Sequence, residues 1–444
     1  MFTIALIIIS IVLIVLLTTK LSLHPFLALL IASLFFGISS GMELEQVILT
    51  INDGFGSTIG KIGIIIIAGV IIGAFLEHSG GAYALANQVL KFIGRKRVHT
   101  AMGIIGYIVS IPVFADSGFI ILSSLNRALS KEAKVSLSGT AVALSLGLTA
   151  SHTMVPPTPG PITAAGILNA DLGLVIMIGL YASIGALIVS IYFASKYVSK
   201  TWIDPQPDLD NHEIEQKIKE APSSLKSFLP ILIPIILIIL RSIANYPSSP
   251  FGNGKFVDAI LFLGNPVTAL LIGVLFALLL PKKLNKTMLG AEGWVGDALK
   301  SGAVIILITG AGGAFGKILQ SSEIGEILGS FASEYPIGIW LAFLVATCIK
   351  TAQGSATVAL TTTASIIAPL MTSLGMETEI EKAMVVVAIG AGSAFVSHAN
   401  DSFFWVVTQM SSMNVSQGYK LHSLGTVVLG LAAMILITIL NLFI

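Results

Sequence analysis

Long runs of apolar residues alternate with short polar loops along almost the whole chain. Each run is close to the roughly 20 residues that an α-helix needs to cross a bilayer. The runs lie at about 2–19, 25–41, 62–78, 172–195, 227–244, 258–280, 301–319 and 422–444. This pattern predicts an all-α polytopic membrane protein.

Two further apolar runs, 135–168 and 383–410, are interrupted by residues that cannot continue a helix. The first contains Pro156-Pro157-Thr158-Pro159-Gly160-Pro161, and each proline removes a backbone donor and collides with the preceding turn. The second contains Ser397-His398-Ala399-Asn400-Asp401-Ser402. Irregular backbone at membrane depth is tolerated only where protein covers it or where it lines a wet cavity. Paired interruptions therefore predict two broken helices at the midplane, around a transporter's binding site.

Two other apolar stretches carry charge of one sign at both ends and predict re-entrant hairpins. The stretch 101–126 is too short for two crossings, and its probable turn runs from Pro112 to Gly118. The stretch 337–372 lies between acidic loops and turns near Gln353-Gly354-Ser355-Ala356-Thr357. Lys350 falls inside this second hairpin, where snorkelling or a solvent-filled approach is the only role that the pattern offers.

Similar phrases recur in the same order in both halves of the chain. Pro25 matches Pro266, Gly73-Ala74-Phe75 matches Gly313-Ala314-Phe315, and Ser151-His152 matches Ser397-His398. About five spans and one hairpin per half place the second copy upside down relative to the first, which predicts two inverted repeats. We assign 1–200 to the first repeat, 201–226 to a cytoplasmic linker and 227–444 to the second repeat. The linker is placed on the cytoplasmic side because Lys and Arg are in excess in the short loops that this assignment puts there.

Composition narrows the class further. Of the 444 residues, 55% are hydrophobic and 11% charged, and the mean hydropathy is +0.94. The net charge of +1 gives no reason to expect a nucleic-acid partner. Cys348 is the only cysteine, which excludes an internal disulfide and a multi-cysteine metal site. The chain has no Walker motif, so neither an ATP-driven mechanism nor a cofactor is expected. The first apolar run has no cleavage pattern, and we interpret it as a retained span.

The breaks and hairpin turns supply the residues that could bind a substrate. Half-helix ends that point into the membrane can hold an anion through unpaired N–H groups and the helix dipole. Glycines there allow close backbone approach, and hydroxyl and amide groups can bind the hydroxyls of a polyol. The alternative for the small polar residues is helix packing. The candidate substrate-binding residues are Ser117, Gly118, Ser151, His152, Thr153, Thr158, Gly160, Gln353, Gly354, Ser355, Thr357, Ser397, His398, Asn400 and Ser402.

Three ionisable residues are candidates for proton coupling: Asp116, His152 and Asp401. A carboxylate at membrane depth is costly and is therefore a functional candidate. Asp401 also has the position of a helix N-cap, which is the structural alternative for it. His152 and His398 occupy matched positions beside the two breaks, and imidazole titrates near neutral pH. Because neither break contains Lys or Arg, we expect mainly backbone dipoles and hydroxyls, helped by a protonated histidine, to hold a substrate carboxylate.

Several of these phrases resemble those of the gluconate permease family over nearly the full chain. They are Ile111 to Phe119, His152 to Pro161, Gly310 to Phe315, Gln353 to Ala359 and Ser397 to Trp405. The resemblance implies a bacterial inner-membrane, proton-coupled importer of gluconate or a related hydroxy acid, from a superfamily with inverted repeats and paired hairpins. A D-serine importer is among its members. The chain departs from the family at Thr158, where histidine is usual, and at Asp116, where many relatives carry glutamate.

The sequence therefore predicts a secondary transporter whose partners are a small carboxylate, protons and the lipid bilayer. Transport of glycerate or D-serine and coupling to sodium are open alternatives to gluconate and protons. The sequence leaves open whether the protein is a homo-oligomer and how many protons accompany each substrate. A passive channel and a membrane-embedded enzyme are the rivals from other classes. An enzyme is disfavoured because Ser151 and His152, as neighbours on one helix, do not face each other.

Overall fold

The computed structural model describes residues 2–94, 97–205, 219–245, 250–252, 254–321, 338–399 and 401–443. Throughout these ranges all regular secondary structure is helical, which confirms the predicted all-α class. The helices of the first half are α1 (Phe2–Thr19), α2 (Pro25–Ser39), α3 (Leu44–His78), α4 (Gly81–Ile93), α5 (Val98–Val109), α6 (Ala115–Glu132), α7 (Leu137–Met154), α8 (Pro159–Leu168) and α9 (Leu172–Lys196).

The second half follows with a similar order of elements. Its helices are α10 (Ser224–Ala244), α11 (Lys255–Leu263), α12 (Pro266–Ala277), α13 (Lys286–Leu289), α14 (Trp294–Gln320), α15 (Ile339–Gln353), α16 (Ala356–Ile367), α17 (Glu379–Ser393), α18 (Ser402–Met410), α19 (Val415–Gln417) and α20 (Leu424–Asn441). A π-helical turn, Gly418–Ser423, leads into α20.

By length and composition, five helical stretches of the described chain can cross a membrane. They contain α3, α9, α10, α14 and α20. Helices α11 and α12 form a sixth span if the pair, bent by 67°, counts as one. These apolar helices make the chain a multi-pass membrane protein.

Both predicted interruptions and both predicted hairpins have counterparts in the structure. Helix α7 ends at Met154 and α8 begins at Pro159, and α17 and α18 are separated by 394–401. The arms α5 and α6 lie on either side of 110–114, and α15 and α16 on either side of Gly354. Gly354 has a φ of +89°, a conformation that side-chain-bearing residues rarely adopt.

One predicted span boundary was wrong, and one predicted span is bent. Helix α3 begins at Leu44 and not near 62, because Gly54 lets α3 approach the carbonyl of Gly313 on α14 and Asp53 pairs with Lys317 at 3.6 Å. The run 258–280 is divided into α11 and α12, because the Asn265 side chain caps the second helix through the Val267 amide. The predicted acidic loop with Glu323, Glu326 and Glu334 lies outside the described residues.

Packing partners recur between the two halves. Hairpin arm α5 packs against α7, as α15 packs against α17. Each half also contributes to the other, because α8 contacts α16 and α18 contacts α6. Helix α3 of the first half contacts α14 of the second, and α9 of the first half contacts α20 of the second. The inverted orientation of the halves and the domain limits stay predictions, and 206–218 of the proposed linker lie outside the described residues.

Candidate functional site

A cavity of about 290 Å³ lies where the first hairpin and both arms of the second meet the ends of α7, α17 and α18. This volume is near the lower end of the range typical of small-molecule sites, so the cavity suits a small ligand. Most of its lining residues have polar or charged side chains. The lining residues are Phe114, Ala115, Asp116, Thr149, His152, Thr153, Lys350, Gln353, Gly354, Ser355, Ala356, Thr357, Ser393, Ala394, Ser397, Asp401, Ser402 and Phe403.

Three helices begin at this cavity: α6, α16 and α18. Each starts after an interruption that frees the amides of its first turn. Ser355 accepts a hydrogen bond from the Val358 amide at 3.3 Å, and Asp401 accepts one from the Phe403 amide at 3.0 Å. Other first-turn amides have no partner within their own helices, and the dipoles add partial positive charge. The cavity therefore has the backbone features of an anion site.

Lys350 adds a full positive charge to the cavity. Its Nζ lies 2.6 Å from Asp401 Oδ2, and the two side chains are only 3% and 10% exposed. The same ammonium donates to the Gly354 carbonyl at the hairpin turn. The breaks themselves contain no Lys or Arg, but the second hairpin carries Lys350 to the second break.

Asp401 is held by a network of hydroxyl and imidazole groups. Ser397 Oγ donates to Asp401 Oδ2 at 2.5 Å and lies 3.2 Å from His422 Nε2. His422 Nδ1 lies in turn 3.2 Å from Ser145 Oγ on α7. The chain Asp401–Ser397–His422–Ser145 joins the second break to the first broken helix. Asp401 thus caps α18 and also pairs with Lys350.

Asp116 also lines the cavity, on the first turn of α6. Ser402 Oγ donates to Asp116 Oδ1 at 3.3 Å, so the first hairpin is linked to the start of α18. The ring of His152 lies edge-on to Phe114 with a centroid separation of 6.0 Å. Two acidic side chains, one lysine and one histidine therefore share the cavity.

Two buried polar atoms in the lining have no hydrogen-bond partner in the described chain: His152 Nδ1 and Ser393 Oγ. Buried polar groups are usually satisfied, so unpaired ones call for an explanation. Both residues line the cavity.

Most of the residues predicted for substrate binding or proton coupling lie in this lining. They are Asp116, His152, Thr153, Gln353, Gly354, Ser355, Thr357, Ser397, Asp401 and Ser402. Sequence reasoning missed Lys350, Thr149 and Ser393. An ionisable residue inside an apolar hairpin was the signal for Lys350, whereas the two hydroxyls resemble ordinary helix-packing residues.

Other predicted residues of the first half lie outside the lining. The hydroxyls of Ser151 and Thr158 contact the carbonyls of Leu148 and Val155 at 3.5 and 2.8 Å. Gly118 packs against Leu148, and Gly160 packs against Leu360. These residues contribute to local packing at the break and the hairpin. Ser117 lies in a neighbouring pocket with Glu77 and His78.

The remaining two predicted residues belong to the second break. His398 Nε2 lies 2.8 Å from the Thr351 carbonyl, outside the cavity lining, so the matched histidines have different surroundings. Asn400 lies outside the described residues. Among the residues that are described, no cluster of three or more His, Cys, Asp or Glu side chains could hold a metal ion.

Comparison with known proteins identifies the family of this chain. The family model described as GntP family permease matches residues 2–443. The chain belongs to the GntP permease family. It is therefore a transporter of small molecules and not an enzyme.

Characterised relatives of this GntP permease differ in their substrates. This chain is 33% identical to a gluconate permease of Pseudomonas aeruginosa, over 98% of this chain and 96% of the relative. It is 32% identical to the D-serine transporter DsdX of Escherichia coli, over 96% and 95%. The YdaH transporter of Alcanivorax borkumensis, whose structure shows an unusual topology, is similar in fold, with a TM-score of 0.65 and 13% identity over 95% of this GntP permease and 98% of that chain.

Proposed function

We propose that the protein imports gluconate or a related small hydroxy acid by proton symport across the bacterial cytoplasmic membrane. The observation that carries this proposal is the meeting of three helix N-termini and the buried Lys350 at one cavity. Free amides, helix dipoles and an ammonium group together favour a carboxylate ligand.

The rest of the lining suits the hydroxyl groups of a sugar acid. Thr149, Thr153, Thr357 and Ser393 offer hydroxyls that can both donate and accept. A hydroxy acid could also satisfy the unpaired Ser393 Oγ and His152 Nδ1. The proposed site therefore has one charged region and a wall of neutral polar groups.

D-Serine is the second candidate because Asp116 faces the same cavity. The Asp116 carboxylate could hold the ammonium group of an amino acid while Lys350 holds its carboxylate. Glycerate, which has no ammonium group, would leave Asp116 without this role.

We place proton coupling among the two acidic residues and the histidine of the cavity: Asp116, Asp401 and His152. Each can change its charge when the site closes and loses water. We further propose that inverted repeats alternate the access to this cavity from the two sides.

Uptake of labelled gluconate into sealed proteoliposomes tests the proposal, with and without an inward proton gradient. We expect gradient-driven accumulation that excess gluconate blocks better than glycerate or D-serine. Replacement of sodium by choline should leave uptake unchanged, and strict sodium dependence would reject proton coupling. Equilibration without accumulation would instead indicate a channel.

A further inference from the structure

The Lys350–Asp401 pair occupies the place where a substrate carboxylate is expected. The pair is buried, and Asp401 reaches Lys350 across 51 positions of the chain. A buried ammonium that loses its carboxylate needs another anion, because an unpaired charge in a dry site is costly. A substrate carboxylate is such an anion, so it competes with Asp401 for Lys350.

Asp401 has other hydrogen-bonding partners besides Lys350, and it keeps them if the Lys350 ammonium turns to another anion. Oδ1 accepts from the Phe403 amide at 3.0 Å, and Oδ2 lies 2.5 Å from Ser397 Oγ. A proton placed on Oδ2 would donate to Ser397 Oγ. The Ser397 hydroxyl would then turn to donate to His422 Nε2, which lies 3.2 Å away, and the neutral imidazole would carry its hydrogen on Nδ1, which faces Ser145 Oγ. The network thus accommodates both the ionised and the protonated carboxyl.

Resting on the proposed function, we infer that Lys350 exchanges its carboxylate partner during transport. The substrate carboxylate replaces Asp401 at Lys350, and Asp401 binds the coupling proton on Oδ2. No covalent bond forms or breaks except the O–H bond to the incoming proton. The empty pair (Lys⁺, Asp⁻) and the loaded set (Lys⁺, substrate⁻, protonated Asp) have the same total charge. One proton therefore accompanies each carboxylate.

The other charged or titratable side chains described around the pair are those of Asp116, His152, His398 and His422. His398 lies 2.8 Å from the Thr351 carbonyl. Asp116 is linked to Ser402, and His422 lies between Ser397 and Ser145. His152 contacts Phe114. These groups keep their protonation state while the substrate carboxylate replaces Asp401 at Lys350. The mechanism therefore differs from one in which Asp116 or His152 carries the proton.

Calorimetric titration of the purified full-length protein with gluconate, in two buffers of different ionisation enthalpy, counts the protons bound with the ligand. We expect one proton per gluconate at neutral pH for the wild type and none for Asp401→Asn. Asp53→Asn is the matched control, because Asp53 forms a Lys pair at 3.6 Å outside the cavity, and it should behave as the wild type. By linkage, the wild-type affinity should rise as the pH falls, whereas that of Asp401→Asn should stay flat.

A second variant guards against a folding defect in Asp401→Asn. The double variant Lys350→Gln/Asp401→Asn has no charge in the pair, and its melting temperature reports folding. We expect it to bind gluconate about 100-fold more weakly than Asp401→Asn, because only the single variant keeps the cation. Equal affinities would overturn the role of Lys350.

The outcomes separate the exchange from the proposed function. Proton uptake by Asp401→Asn, or gluconate accumulation without proton binding by the wild type, would overturn the exchange and leave the transport assignment standing. Failure of the wild type to accumulate gluconate, glycerate or D-serine in proteoliposomes would overturn the proposed function, and the exchange with it.

Discussion

Ser393 and Ser190 form a natural pair for testing the site at the residue scale. Both are fully buried, and the hydroxyl of each lacks a hydrogen-bond partner in the described chain. Ser393 lines the cavity, whereas Ser190, on α9, does not. A buried hydroxyl without a partner is costly, and for Ser393 the proposed substrate would be that partner.

We predict that Ser393→Ala raises the KM for gluconate uptake by up to about tenfold, the equivalent of one lost neutral hydrogen bond. Its melting temperature should not fall, because the removed hydroxyl has no protein partner. The control Ser190→Ala should transport as the wild type does. An unchanged KM in Ser393→Ala would exclude this hydroxyl from substrate binding.

Thr158 differs from the residue that the family resemblance leads us to expect, and the structure shows where it lies. The gluconate permease family usually carries histidine there, which made this position a candidate for substrate choice. In the structure Thr158 is 2% exposed, and its hydroxyl donates to the Val155 carbonyl inside the break. An effect of Thr158 on substrate choice stays a prediction, and it would have to act through the packing of the break, since Thr158 does not line the cavity.

At the scale of elements, glycines set how closely the hairpins approach the broken helices. A Cβ on Gly147 of α7 would lie 2.0 Å from the Gly103 carbonyl oxygen of α5. A Cβ on Gly106 would lie 2.4 Å from the Leu144 carbonyl oxygen. Small residues that let backbones approach are typical of helix interfaces in membranes. Helix α7 carries Thr149 and His152, so this interface also positions the cavity wall.

We predict that Gly147→Ala destabilises the protein by about 2 kcal/mol, because the methyl group must push two backbones apart. It should also reduce gluconate uptake by displacing α7. Gly60→Ala is the control, since a Cβ there has nothing within 4 Å and alanine favours the helix. Melting temperatures in detergent provide the comparison, and equal values for the two variants would contradict the proposed role of Gly147.

The sequence predicted the interruptions better than it predicted what they contact. The prolines from 156 to 161 cannot continue α7, so the first break was visible without a structure. The pairing of Lys350 with Asp401 could not be predicted, because it depends on the packing of two segments 51 positions apart. The polar stretch from Asp53 to Lys61 looked like a loop, but its contacts with α14 keep it helical.

At the scale of the whole molecule, the cavity is built by both halves. Asp116 and His152 come from the first half, and Lys350 and Asp401 come from the second. The first hairpin contacts α18, and the first break's α8 contacts the second hairpin, so each half supports the site elements of the other. A movement of one half against the other would therefore change access to the ligand.

Protection from a thiol reagent tests most directly whether this cavity is the binding site. Cys348 is the only cysteine and is exposed, so Cys348→Ser gives a background without thiols. In that background, Ser402→Cys places a thiol at the cavity, and Ser57→Cys places one on α3, away from the cavity. We predict that gluconate slows labelling of the Ser402→Cys variant by a water-soluble reagent and leaves labelling of the Ser57→Cys variant unchanged. Equal labelling of the Ser402→Cys variant with and without gluconate, in protein that still accumulates it, would place the substrate elsewhere.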